Sequence, residues 1–167
     1  IRITDFAPRF RNLDRIYRAP QLIRIVEPIA GMPRITIRLR PTSNYGHPVR
    51  QSTIGSNHVR YDTGDNPVRL TTDAPISYIE REASFVLTRP IHLALGADEP
   101  FPSALGTTCR DFLERTTDYW REWVRRLNLS YDWQEAMIRA AITLKLSNFE
   151  ETGGIIAAHT TSIPESP

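Results

Sequence analysis

The chain has 167 residues, 40% of them hydrophobic, with 21 basic and 19 acidic side chains and a formal net charge of +2. That length and apolar content suffice for one domain with a genuine core, or for two small ones, and argue against an intrinsically disordered chain. Every basic residue except Lys145 is Arg, but the Arg residues are spread along the chain among Asp and Glu, whereas a nucleic-acid face needs them clustered.

From Ile1 to about Leu95 the apolar period is two, in short runs separated by Pro, Gly, Asn and Asp. Ile1–Phe6 reads as a strand already in progress. Ile23–Val26, Ile35–Leu39 ending at Pro41, Val68–Leu70 after Asn66-Pro67, and Ile91–Leu95 ending at Gly96 each fit a strand with one buried and one wet face. Ile76–Ile79 and Ala83–Leu87 add two more. Many short strands at even spacing, with no helical pattern between them, predict an antiparallel β-sandwich.

Gly96–Gly106 carries Asp98, Glu99, Pro100 and Pro102 and reads as a linker, after which the period changes. Phe112, Leu113, Tyr119, Trp120, Trp123, Val124 and Leu127 fall at helical spacing and predict a helix over Thr108–Leu127. Thr107 or Thr108 supplies its N-cap, and Arg125 and Arg126 complement its C-terminal dipole. A second helix is predicted over Asp132–Phe149, capped by Asp132 with Glu135 reaching back, striped by Trp133, Met137, Ala141, Leu144 and Phe149, and ended by Gly153-Gly154. Two helices with this much apolar surface cannot bury it against each other alone. Since burial contributes about 25 cal/mol per Å², they call for partners from elsewhere.

No compact catalytic constellation stands out. His47, His58, His92 and His159 form no ligand pair, so no metal site and no cofactor are expected. His92 in a strand reads as a surface or satisfied core side chain. Cys109 has no partner for a disulfide and reads as a buried structural thiol; the expectation is a cytoplasmic protein. No run is apolar enough to span a membrane. Ser52–Asn57 is Gly-bearing but leads into no helix, and is simply a loop. Glu150 and Glu151 are adjacent, and adjacent residues cannot flank one glycosidic bond. Tyr119, Trp120, Trp123, Tyr131 and Trp133 suit either a sugar-stacking platform or a packed seam, and helical spacing favours the seam.

Gly153-Gly-Ile-Ile-Ala-Ala-His-Thr160-Thr161-Ser-Ile-Pro-Glu165 resembles a segment of glycoside hydrolase family fifteen, the family of glucoamylases, glucodextranases and bacterial trehalases. Ile3-Thr-Asp5-Phe-Ala-Pro8-Arg9-Phe10, Leu22–Glu27, Arg38-Leu-Arg40-Pro41 with Tyr45-Gly46, Thr116 with Tyr119-Trp120 and Trp123, and Ala140-Ala141 with Leu144-Lys145-Leu146 are similar to its bacterial members in order and spacing. His159 departs from the family, where proline is frequent at that place.

The resemblance implies a β-rich α+β fragment of a larger enzyme. Residues 1–96 would be the latter part of an N-terminal supersandwich-like β-domain, 97–130 a linker and linker helix, and 131–167 the start of an (α/α)6 catalytic barrel. It further implies a parent that hydrolyses α-glucosidic bonds with inversion through two Glu residues, neither of them in this chain, so the chain alone should be inactive. Thr160, Thr161 and Glu165 would support the substrate-gripping loop from behind, and Glu165 equally suits a helix cap or an ion pair. The implied partners are an α-glucoside or α-glucan and the rest of the same polypeptide, with no nucleic acid and no membrane. A stand-alone carbohydrate-binding or scaffold β-module is the competing reading.

Overall fold

A computed structural model describes residues 1–43, 46–49, 52–64 and 66–157. They fall into two compact units that divide between Tyr119 and Trp120. In chain order the first unit contains β1 (Arg2–Phe6), β2 (Phe10–Asn12), β3 (Arg15–Tyr17), β4 (Leu22–Glu27), β5 (Arg34–Ile35), β6 (Thr42–Ser43), β7 (His47–Pro48), β8 (Ser52–Ile54), β9 (His58–Tyr61), β10 (Val68–Thr72), α1 (Ile76–Glu80), β11 (Phe85–Val86) and β12 (Ile91–Ala97). Helix α2 (Leu105–Arg125) begins in the first unit and ends in the second, which continues with α3 (Gln134–Leu146), β13 (Asn148–Phe149) and β14 (Gly154–Ile155).

The first unit is built on a six-stranded sheet in the order β1-β4-β12-β10-β9-β8, antiparallel throughout. Alternation sends the side chains of β4 to two different cores. Ile23 and Ile25 pack with Ala94 and Cys109, and with Phe6, Phe101, Leu105, Phe112 and Leu113, against the start of α2. Val26 joins Leu70, Ile91 and Leu93 on the opposite face, with Ile76 and Ile79 of α1, Leu87, and the flanking Ile35, Ile37 and Leu39. Fully burying one such side chain contributes about 1.5–3 kcal/mol, so both faces of the sheet hold the unit together.

This two-sided burial corrects the single buried face expected of Ile91–Leu95. Ile91, His92, Leu93 and Ala94 are all buried, because β12 is central and α2 covers the side expected to be wet. The segment Ile35–Leu39 keeps its predicted alternation, since Ile35, Ile37 and Leu39 all pack inward. Among the described residues its ladder is only β5 paired to β11, however, so there the second layer is two strands of two residues and not a broad second sheet.

Ile76–Ile79, expected as a strand, is helix α1. Ile76 and Ile79 are both buried, and an i, i+3 pair shares a face on a helix but takes opposite faces on a strand. Pro75 at the N-cap, with φ −63°, lacks the N–H that a ladder would use. The change of period across the linker appears as predicted, with α2 beginning three residues earlier than expected. Neither Thr107 nor Thr108 caps it: both lie within the first turns, and the Thr108 hydroxyl donates back to the Ala104 carbonyl at 3.2 Å.

In the second unit α3 is shorter than the predicted Asp132–Phe149. Its N-cap is Trp133, left-handed at φ 59° and without a side-chain capping bond, so the Asp132–Glu135 capping box does not form. Gly153-Gly154 does not end the helix, which closes at Leu146. Instead Gly153, at φ 75°, turns the hairpin between β13 and β14, and its N–H donates to the Phe149 carbonyl at 2.8 Å. No residue of α3 is buried, and Leu144 is 61% exposed. The apolar stripe read from the sequence is therefore an open surface.

Candidate functional site

A largely buried cluster of polar side chains in the first unit lies where β10 and β12 part. The last paired residues are Thr72 and Leu93. One residue further, Asp73 places its carboxylate against His92: the His92 backbone N–H donates to Oδ1 at 2.7 Å, and the ring Nδ1 lies 2.7 Å from Oδ2. An ionised carboxylate only accepts, so Nδ1 carries the proton. Thr72 reinforces the junction, its hydroxyl donating to the His92 carbonyl at 2.7 Å and accepting from the Ala74 N–H at 3.0 Å.

His92 is 3% exposed, and its Nε2 is buried without a hydrogen-bond partner among the described residues. The ring lies under the first turn of α2, where a Cβ built on Gly106 would come within 2.9 Å of Cε1. Cys109, one turn further along α2, is fully buried. Its thiol is pushed up to about 12, chiefly by burial and then by the negative charge of Asp73, against a smaller opposing effect of Arg110.

Acid, imidazole and thiol thus share one neighbourhood, but the arrangement does not make a nucleophile. Nucleophilic catalysis needs a depressed thiol pKa and an open approach, and Cys109 has neither. What Asp73 and His92 do is fasten the end of β10 to β12, with the imidazole lying under the start of α2. The reading of His92 as a surface or satisfied core side chain is right for the core but overlooks the open Nε2. Sequence reasoning missed its partner because residues nineteen apart carry no local signal of pairing.

The remaining candidates do not converge on a site. Glu150 is engaged by Lys145 Nζ at 2.5 Å in the hairpin turn that also holds Glu151. Trp120 and Trp123 meet edge to face at 5.7 Å, as a packed seam does, whereas Tyr131 and the 83%-exposed Trp133 stand in solvent. Among the described residues no group of three His, Cys, Asp or Glu side chains can hold a metal ion, and no helix is long and apolar enough to cross a membrane. His159, Thr160, Thr161 and Glu165 lie outside the described residues.

No family model matches the chain, and no solved structure matches it. It is similar to the trehalase of Thermoplasma volcanium, 28% identical over 177 residues that cover 99% of this chain and 27% of that protein. The trehalase of Thermoplasma acidophilum is 28% identical over 182 residues, covering 99% of this chain and 29% of the relative. The trehalase of Mycobacterium tuberculosis is 34% identical over 106 residues, covering 60% of this chain and 15% of the relative. The chain is thus similar to part of several trehalases. It spans less than a third of the length of the curated relatives it matches.

Proposed function

We propose that this chain is the β-scaffold, linker helix and opening barrel helix of a larger hydrolase of α-glucosidic bonds, trehalase-like or glucoamylase-like, and that it does not itself hydrolyse them. The likeness to the Thermoplasma volcanium trehalase carries this reading, because it runs over 99% of the chain and not over one motif. The site chemistry agrees: the first unit holds a fastened Asp73–His92 junction and a silent thiol, whereas inverting glycosidases need two opposed carboxyl groups about 6.5–9.5 Å apart. Thr160, Thr161 and Glu165 would then brace the loop that grips glucose, in a protein located in the cytoplasm. The open stripe of α3 would be covered by other helices of the same polypeptide.

The test compares the 167-residue chain with the protein from its full reading frame, assayed for glucose release from trehalose, maltose, isomaltose and starch. The expected result is turnover by the longer protein only, with newly formed β-glucose seen by NMR, accompanied by an equal amount of α-glucose when trehalose is the substrate. Turnover by the short chain, or none of these substrates cleaved by the longer protein, would refute the reading.

A further inference from the structure

Strand β1 is an edge of the six-stranded sheet: one side pairs with β4 from Arg2↔Glu27 to Phe6↔Ile23, and among the described residues no strand lies on the other. Edge strands usually carry charges that deter another strand. Here those charges are engaged by β4 across the ladder, on the exposed sheet surface. Arg24 clasps Asp5 with two bonds of 2.7 Å, and Arg2 lies 3.7 Å from Glu27. Beside this edge, on the face that carries Val26 and Leu93, runs a mainly apolar groove of about 520 Å³ lined by Ile1, Ile3, Leu22, Ile37 and Leu39, with Arg24 and Arg38 also in its wall. Ile3 remains 52% exposed there although its strand neighbours are ordered in full register.

An unpaired backbone edge beside an apolar groove suits one kind of occupant, an extended strand that adds to the edge while alternate side chains enter the groove. We infer that β1 receives a seventh strand with apolar residues at alternate positions, supplied by another part of the same polypeptide. Two observations favour that source over a second copy of the chain. The matched trehalases are more than three times the length aligned here, so such a protein has chain to give. A second copy meeting β1 across a two-fold axis would bring only its own Ile1 and Ile3 to a groove whose lining also takes in Ile35, Ile37 and Leu39. The inference rests on the reading of this chain as part of a longer protein.

The experiment places a thiol at the edge with Ile3→Cys and follows alkylation in the 167-residue chain and in the full-length protein. Cys109 provides a silent background, being buried with its thiol pushed up to about 12. Labelling of the short chain should be fast at low concentration, and in the full-length protein at least about a hundredfold slower. A second variant, Ile3→Lys, should leave the melting midpoint of the short chain unchanged and lower that of the full-length protein by several degrees. Equal labelling in the two proteins, or a neutral Ile3→Lys in the longer one, overturns the inference. Protection that appears in the short chain only as its concentration rises assigns the edge to a second copy and overturns it equally. Because the readout is protection and not turnover, a full-length protein that shields position 3 without cleaving any glucoside refutes the hydrolase reading alone.

Discussion

Gly106→Ala sets two effects of opposite sign against each other, and the structure decides between them. Inside a helix Ala is favoured over Gly by about 0.8–1 kcal/mol, and Gly106 is the second residue of α2 with no positive φ to protect. Against this, the new Cβ would lie 2.9 Å from His92 Cε1 and 3.1 Å from Nδ1. A flexible side chain would swing aside, but this imidazole is pinned at 2.7 Å by Asp73 and is buried. Relief requires stretching that bond, worth about 1.5–3 kcal/mol where one partner is charged, or shifting α2, at about 1–3 kcal/mol for an overpacked core. The net expectation is a loss of about 1–2 kcal/mol, read as a lower urea midpoint at unchanged slope. With His92→Ala as the background the clash disappears, and Gly106→Ala should become neutral or stabilising, with a coupling of at least about 1 kcal/mol in the double-mutant cycle. A Gly106→Ala variant as stable as the parent chain, or a coupling below about 0.5 kcal/mol, would refute the account of His92 as a fixed floor for the helix.

Cys109 should resist a thiol reagent at pH 8 until denaturant is added, and immediate labelling of the folded chain would contradict its burial. Its thiol is raised from 9.0 to about 12, so the unfolded chain ionises first; stability should be whole below pH 9 and fall as pH rises toward 12, and Cys109→Ala should flatten that decline. Trp133→Gly should stabilise α3 by up to about 1 kcal/mol, because a left-handed conformation strains Trp but not Gly and the indole is 83% exposed; a fall in far-UV helicity would count against it. Leu144→Glu should reduce dye binding and self-association of the short chain without lowering its melting midpoint, and an unfolded variant would show that the α3 face is not open.

The strands that alternate cleanly were legible in the sequence. Leu22–Glu27 and Val68–Thr72 form where their pattern places them, and the change of period after Gly96 marks α2. Short segments failed because period and length could not separate helix from strand: Ile76–Ile79 offers only two buried positions, and their spacing fits a turn of helix. Alternation reports one face at a time, so it missed the second buried side of β12, whose His92 and Ala94 look solvent-facing until α2 is laid over them. The Asp132 cap failed against the backbone itself, since a left-handed Trp133 is the N-cap in its place. For the candidate site, the silence of Cys109 was readable from the lack of any partner motif. The Asp73–His92 pairing was not, because its two halves meet only when β10 and β12 run antiparallel.

Asp73 holds by one carboxylate what would otherwise open separately. It receives the first amide beyond the last rung of the ladder, closes the base of the excursion that carries α1 and β11, and fixes the ring on which Gly106 rests. A fluctuation that frees the strand end must therefore also loosen the base of the excursion and the footing of the helix. These three pieces should exchange their amide hydrogens together, as one cooperative unit with a single opening free energy, although they lie in three separate stretches of the chain.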